Sequence, residues 1–238
     1  MAGNEDLHTL FNFFEKVAKP LKQASYEDGM KYIFEHVKKL PSFVLGQLHK
    51  NLDQSNGLYK YVNYVGFSNG DFHVFQGGRP PADFIKVSTE GLGGPELRVC
   101  YPGGYAELAT SAGQPMCTTR AKDEQNSYYL LVTYKDSDID EASYSAFEAD
   151  WKTKTGANII RDTFPAGIVG GDVGFYKRRR PGHTPLNYVL RYEILPGASR
   201  ESVLQLLPTL REKLTAGGVP FSNVGAYSIC YICDPVKT

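Results

Sequence analysis

Between residues 128 and 233 the chain enters a two-residue apolar period four times and a helical period twice. No other feature restricts the possible folds as strongly, because side chains alternate across a strand but recur every three to four positions on a helix. Residues 128–134 read as a strand. Residues 140–154 read as a helix with Tyr144, Phe147 and Trp151 on one side, stopped at Gly156. Residues 173–177 and 186–194 read as two further strands joined by RRRPGHTP, whose Arg178, Arg179 and Arg180 mark a turn that also discourages edge pairing. Ser199 then caps a helix that carries Val203, Leu206, Leu207, Leu210 and Leu214 inward and ends at Gly217-Gly218, and residues 224–233 form the last strand. The order βαββαβ with an antiparallel sheet predicts a ferredoxin-like C-terminal half.

The N-terminal region reads differently. Leu7, Leu10, Phe11, Phe14, Val17, Ala18 and Leu21 fall on one helical stripe behind Asn4, and Pro20 should end it. A second helix starts at Ser25 and turns Met30, Ile33, Phe34 and Val37 inward, and a third runs from Pro41 with Val44, Leu45, Leu48 and Leu52. In KYVNYVGFSNGDFHVFQGG the period becomes two, and Asn69-Gly70 supplies the positive-φ pair of a type I′ hairpin turn. The pairing outward from that turn sets Gly66 opposite His73 and Tyr64 opposite Phe75. Residues 77–126 are broken repeatedly by Gly and Pro. The expected architecture is therefore α+β: helices and a hairpin over residues 1–115, packed with a ferredoxin-like domain over residues 127–235.

With 26 basic and 26 acidic residues, the chain lacks the long-range basic field of a nonspecific nucleic-acid binder. It shows neither a basic leader nor a long apolar run, so a cytoplasmic protein without a membrane partner is expected. The pair Cys230 and Cys233 lies in a strand pattern, where residues three apart face opposite ways, so all four cysteines read as structural thiols. No P-loop, dinucleotide, serine-hydrolase or zincin motif occurs, and the five histidines form no ligand cluster. Neither metal nor cofactor is expected.

Chemistry has to come from strand faces. In NYVLRYEI, Tyr188, Leu190, Tyr192 and Ile194 share one face and Val189, Arg191 and Glu193 the other. A sheet covered by helices on one side must bury its other side against a second copy, a partner or a ligand. The expected use of that face is a pocket for a small apolar or aromatic molecule. His73, Arg191 and Glu193 are its candidate acid–base residues, and Tyr64, Phe75, Tyr129, Tyr227, Tyr231 and His183 its candidate lining. Two readings compete with it: a ligand-sensing module without turnover, and an interaction protein that uses its open sheet face, as a homodimer would.

YYLLVTYKDSDIDEASYSAFEADW followed by GDVGFYKRRRPGHTPLNYVLRYEI resembles dimeric α/β-barrel proteins, particularly the EthD-like and antibiotic-biosynthesis-monooxygenase-like families. The resemblance covers residues 127–235 and implies two units facing their sheets around a small apolar cavity, which serves cofactor-free oxygenation, cyclisation, lyase chemistry or no catalysis. If this chain is an enzyme, a metal- and nucleotide-independent lyase, cyclase or isomerase is expected. The chain departs from the EthD pattern where those proteins carry a histidine near the end of the first helix; here Trp151 is followed by KTKTGAN. The N-terminal helices followed by the hairpin are also similar to PAS-like sensor domains.

Overall fold

The computed structural model describes residues 7–18, 20, 22–68, 81–119, 126–165, 168–179 and 184–236. Eight strands close into one antiparallel barrel. They are β1 (His8–Val17), β2 (Phe43–Asn51), β3 (Tyr61–Phe67), β4 (Arg98–Thr110), β5 (Tyr128–Lys135), β6 (Val169–Arg178), β7 (Leu186–Ile194) and β8 (Asn223–Cys233), arranged around the barrel as β1-β3-β2-β8-β5-β7-β6-β4. The longer helices are α1 (Tyr26–Val37), α2 (Ala82–Leu92) and α6 (Arg200–Ala216); α3 (Tyr144–Ala149), α4 (Trp151–Lys154) and α5 (Ala157–Thr163) together span one connection.

This architecture overturns the expectation of a ferredoxin-like C-terminal half packed with N-terminal helices. The edge strands of residues 128–233 are not edges: β8 pairs with β2 and β6 pairs with β4, so one sheet runs continuously round the molecule. Closure leaves no open sheet face, and the reading that depended on one falls with it. Residues 8–17 and 43–51 are strands rather than helices. Both are covered on two sides: Phe11 and Phe13 lie in the barrel interior, Phe14 and Leu48 in the layer under α1. A strand buried on both faces loses its apolar–polar alternation, and a dense apolar run then matches a helical stripe by accident. Nor do the first hundred residues carry the helix-then-hairpin order of a PAS-like domain, since β3 pairs with β1 and β2. Asn69-Gly70 and the predicted partners beyond it lie outside the described residues.

Helices cover the outside. Ser25 accepts the Asp28 amide at the start of α1, whose Met30, Ile33, Phe34 and Val37 are buried. The missing side chain of Gly46 lets Phe34 lie directly on β2, since a Cβ there would sit 2.5 Å from its ring. On the opposite side Val203, Leu207, Leu210 and Leu214 of α6 join Leu130, Val132 and Leu190 in one cluster, each buried leucine contributing about 2 kcal/mol. Trp151 stacks on Phe175 at 5.9 Å. All four cysteines are free, with Cys117 and Cys233 buried and Cys230 exposed. Among the described residues no helix is long and apolar enough to cross a membrane.

Candidate functional site in the barrel interior

Most of the barrel interior is aromatic. Phe11, Phe13, Tyr59, Tyr64, Tyr105, Tyr176 and Tyr227 belong to one cluster with Leu45, Val62, Leu131, Leu186 and Val189. Into this apolar space β7 inserts Arg191, which is 3% exposed. Its guanidinium carbon lies 4.5 Å from the ring centre of Tyr64 and 4.1 Å from that of Tyr129, so two aromatic faces enclose the cation. Such a stack is worth on the order of 2 kcal/mol when desolvated. It does not satisfy the hydrogen-bonding capacity of the guanidinium, which has five N–H donors and no acceptor. Nη2 donates to Gln47 Oε1 at 3.0 Å, while Nε finds no acceptor among the described residues.

That bond fixes the chemistry of its neighbour. Arginine can only donate, so the Gln47 atom facing it is the carbonyl oxygen. His49 Nε2 approaches the same oxygen at 3.1 Å and must therefore carry the proton, which leaves Nδ1 as a bare lone pair. Nδ1 is buried and has no partner among the described residues. Burial, followed by the charge of Arg191, holds His49 well below the usual imidazole range, so the ring is neutral. A neutral imidazole with a free lone pair beside a fixed cation can accept a proton and stabilise the anion left behind.

A second polar chain leaves Tyr64. Its hydroxyl lies 3.3 Å from that of Tyr176, and Glu107 on β4 stands beside Tyr176. Glu107 accepts the Met116 amide at 3.0 Å; burial pushes its carboxyl up, opposed by that amide, Tyr176 and Arg191. Burial likewise pushes the Cys117 thiol up to about 12, which makes it a poor nucleophile.

Of the residues nominated from sequence, Arg191, Tyr64 and Tyr129 meet in one stack, Tyr227 is fully buried in the same cluster, and Glu193 is buried two positions along the same strand face from Arg191. Tyr231 is not part of this group: its hydroxyl donates to Glu35 outside the barrel at 2.9 Å. His73, Phe75 and His183 lie outside the described residues. Gln47, His49, Tyr176 and Glu107 went unnominated. The alternation of Leu45, Gln47 and His49 in LGQLHKN carried the signal for two of them, but it was hidden by a helical reading of residues 41–52. Among the described residues no three His, Cys, Asp or Glu side chains come together as a metal site would require.

An eight-stranded antiparallel barrel built by one chain, with helices outside, is a fold that solved structures share. An "anthrone oxidase-like protein" superimposes over 98% of this chain and 96% of its own, with a TM-score of 0.58 at 11% identity. Two chains described as "putative monooxygenase" also match at 11% identity: one from Fusobacterium nucleatum over 96% and 94% with a TM-score of 0.53, and one from Lactobacillus acidophilus over 97% and 97% with a TM-score of 0.50. At that identity the likeness is one of fold. Residues 43–223 match the family model described as "Domain of unknown function (DUF7153)", and the chain belongs to that family. No curated protein matches the sequence.

Proposed function

We propose that the barrel interior binds a small planar molecule carrying an ionisable enol or phenol, with His49 Nδ1 taking its proton and Arg191 holding the resulting anion. The observation that carries this reading is the shared Gln47 oxygen. It ties the two groups together and leaves each with one unused position, an acceptor on His49 and a donor on Arg191. A ligand with an O–H beside an oxygen acceptor satisfies both, and Tyr64 and Tyr129 offer faces on which a flat ring can stack. The imidazole is a weak base while only Arg191 faces it; an anion between the two cancels that repulsion and raises its basicity.

The same reading withdraws the lyase class expected from sequence, because structures that share the fold carry oxidase and monooxygenase names. Ionising an enol or phenol gives its electron-rich form, the form from which oxidation starts, so those names support the ionisation step in particular. The resemblance to antibiotic-biosynthesis-monooxygenase-like proteins supports it as well.

The test uses 4-nitrophenol, whose yellow anion reports its own protonation state. Binding is expected to turn the probe yellow at a pH where it is colourless in buffer, and Arg191→Met should abolish the effect. Binding of the colourless form alone, or no saturable binding, would overturn the proposal. Oxygen uptake in the same cuvette, followed with an electrode, separates an oxidising protein from a binding one.

A further inference from the structure

Among the described residues the side chains of the interior cluster are buried against one another, so a ligand entering there has to displace one of them. The end of the barrel where β1 begins and β3 finishes shows where that displacement falls. There the segment following β4 folds back and inserts two side chains among the barrel aromatics: Met116 is 2% exposed and Cys117 4%. Two bare strand positions receive them. A Cβ on Gly66 of β3 would lie 2.7 Å from Cys117 Cβ, and one on Gly174 of β6 would lie 2.6 Å from the Tyr176 hydroxyl and 2.9 Å from Met116 Cγ, so Gly174 makes room for both side chains. Gly174 is the direct β-sheet partner of Arg191, so Met116 occupies space beside the guanidinium wall.

The attachments of this segment are unequal. Its base is stitched to β6, with the Ser111 amide donating to Val173 O at 2.9 Å and the Val173 amide to Ser111 Oγ at 2.9 Å. Its tip is a turn, with the Thr118 amide donating to Pro115 O at 2.9 Å. Among the described residues, the tip is tied to the barrel by a hydrogen bond from the Met116 amide to Glu107 Oε2 at 3.0 Å. A thioether with three rotatable bonds is the apolar side chain that re-packs at least cost.

We infer that Met116 and Cys117 form a removable stopper, latched by Glu107, which occupies the ligand's volume when the site is empty and sets the size of the ligand admitted. The inference rests on the proposed interior site, and it names the residues that decide specificity there. Opening breaks the Met116–Glu107 bond and swings the turn about its stitched base. The ligand then takes the place of the Met116 side chain beside Arg191 and the two tyrosines. A longer aromatic is excluded by Met116 and admitted when that side chain is shortened.

Two variants at one position separate the latch from the bulk. Met116→Ala shortens the side chain and keeps the N–H. Met116→Pro also removes the N–H, at a turn position after Pro115 that favours proline. Hydrogen exchange of amides 112–119 should rise at least tenfold in Met116→Pro and in Glu107→Ala over Met116→Ala, with Glu107→Gln restoring protection because its amide oxygen can still accept. Met116→Ala should also raise the affinity for 2-naphthol relative to 4-nitrophenol at least tenfold. Unchanged exchange in Met116→Pro, or an unchanged naphthol preference in a Met116→Ala protein that melts normally, would overturn the stopper. Exchange needs no ligand, so a stopper that opens in a protein that binds no phenol would sink the proposed function and leave the stopper standing.

Discussion

The chain runs through strand, helical connection, strand, strand, helix and strand twice, and the third strand of each pass makes the sharpest comparison in the molecule. YVNYVGF in β3 and YVLRYEI in β7 begin alike and then part. Tyr64 takes the place of Arg191, and Gly66 the place of Glu193. Both strands point these positions inward, and the two matched residues meet across the interior, with Arg191 stacked over Tyr64 at 4.5 Å. One wall therefore supplies charge, while the other supplies a neutral aromatic face and, at Gly66, the space into which Cys117 fits. A barrel made of two identical halves would place two guanidiniums against each other, at a Coulombic cost of several kcal/mol in a poorly screened interior. Divergence between the halves makes one buried cation tenable.

If charge on the β7 wall is what holds an anionic ligand, removing it should have the largest effect and removing its β3 counterpart a smaller one. Arg191→Met is expected to weaken 4-nitrophenol binding about a hundredfold, roughly 2.7 kcal/mol. The melting temperature should hold or rise, because an apolar side chain of similar length replaces a buried charge without leaving one unpaired. Tyr64→Met removes a ring face and the hydroxyl beside Tyr176 but no charge, and should cost about tenfold. Calorimetric titration of both variants beside a thermal melt checks this; equal losses would mean that the two walls do the same work.

The next effect belongs to Gly66 and concerns folding. Gly66→Ala places a methyl 2.7 Å from Cys117 Cβ, and such overpacking costs about 1–3 kcal/mol. Urea denaturation should show that loss, and Cys117→Gly in the same chain should recover most of it. If the double variant is no better than the single one, the bare position serves the backbone of β3 and not the segment it faces.

How much of this could be read in the sequence follows the same division. The strands β5 to β8 stood out although β7 is buried on both faces. Short β-branched and aromatic runs there are bounded by Gly and Pro and separated by two stretches of helical period, and in β7 a charged pair, Arg191 and Glu193, marks one face against Tyr188, Leu190 and Tyr192. Placing Arg191 on an inward-capable face followed from that pair. In β1 and β2 burial on both faces erased the signal, since Phe11 and Phe13 are as buried inside as Phe14 and Leu48 are outside. Reading β2 as a helix scattered Leu45, Gln47 and His49 around a cylinder when they stand in one row. Barrel closure was out of reach for another reason: β2–β8 and β4–β6 join residues far apart in sequence, and no local pattern records which distant edge a strand will meet. Met116 and Cys117 left no trace, because a turn that plugs a barrel looks like any other turn flanked by proline and threonine.

The smallest expected effect bears on His49, whose wall position next to the cation sets its proton affinity. Its folded-state pKa lies well below the unfolded value of 6.5, lowered first by burial and then by Arg191. The folded state therefore binds fewer protons than the unfolded state, so stability is fully present above about pH 6.5 and falls as the pH drops toward the folded value. Between pH 7 and pH 5.5 the loss attributable to this group is about 1 kcal/mol. Glu107 shifts the opposite way, with its carboxyl raised by burial, and it draws stability down as pH rises above the ordinary carboxylate range. The two slopes oppose each other, so the wild-type curve alone cannot assign either. The difference between His49→Gln and wild type, measured by urea denaturation at each pH, cancels the Glu107 contribution. That difference should shrink by about 1 kcal/mol on acidification from pH 7 to pH 5.5. A difference that stays constant would mean that His49 titrates as it does in water, and the bare Nδ1 assigned to it would then be solvated rather than held for a ligand.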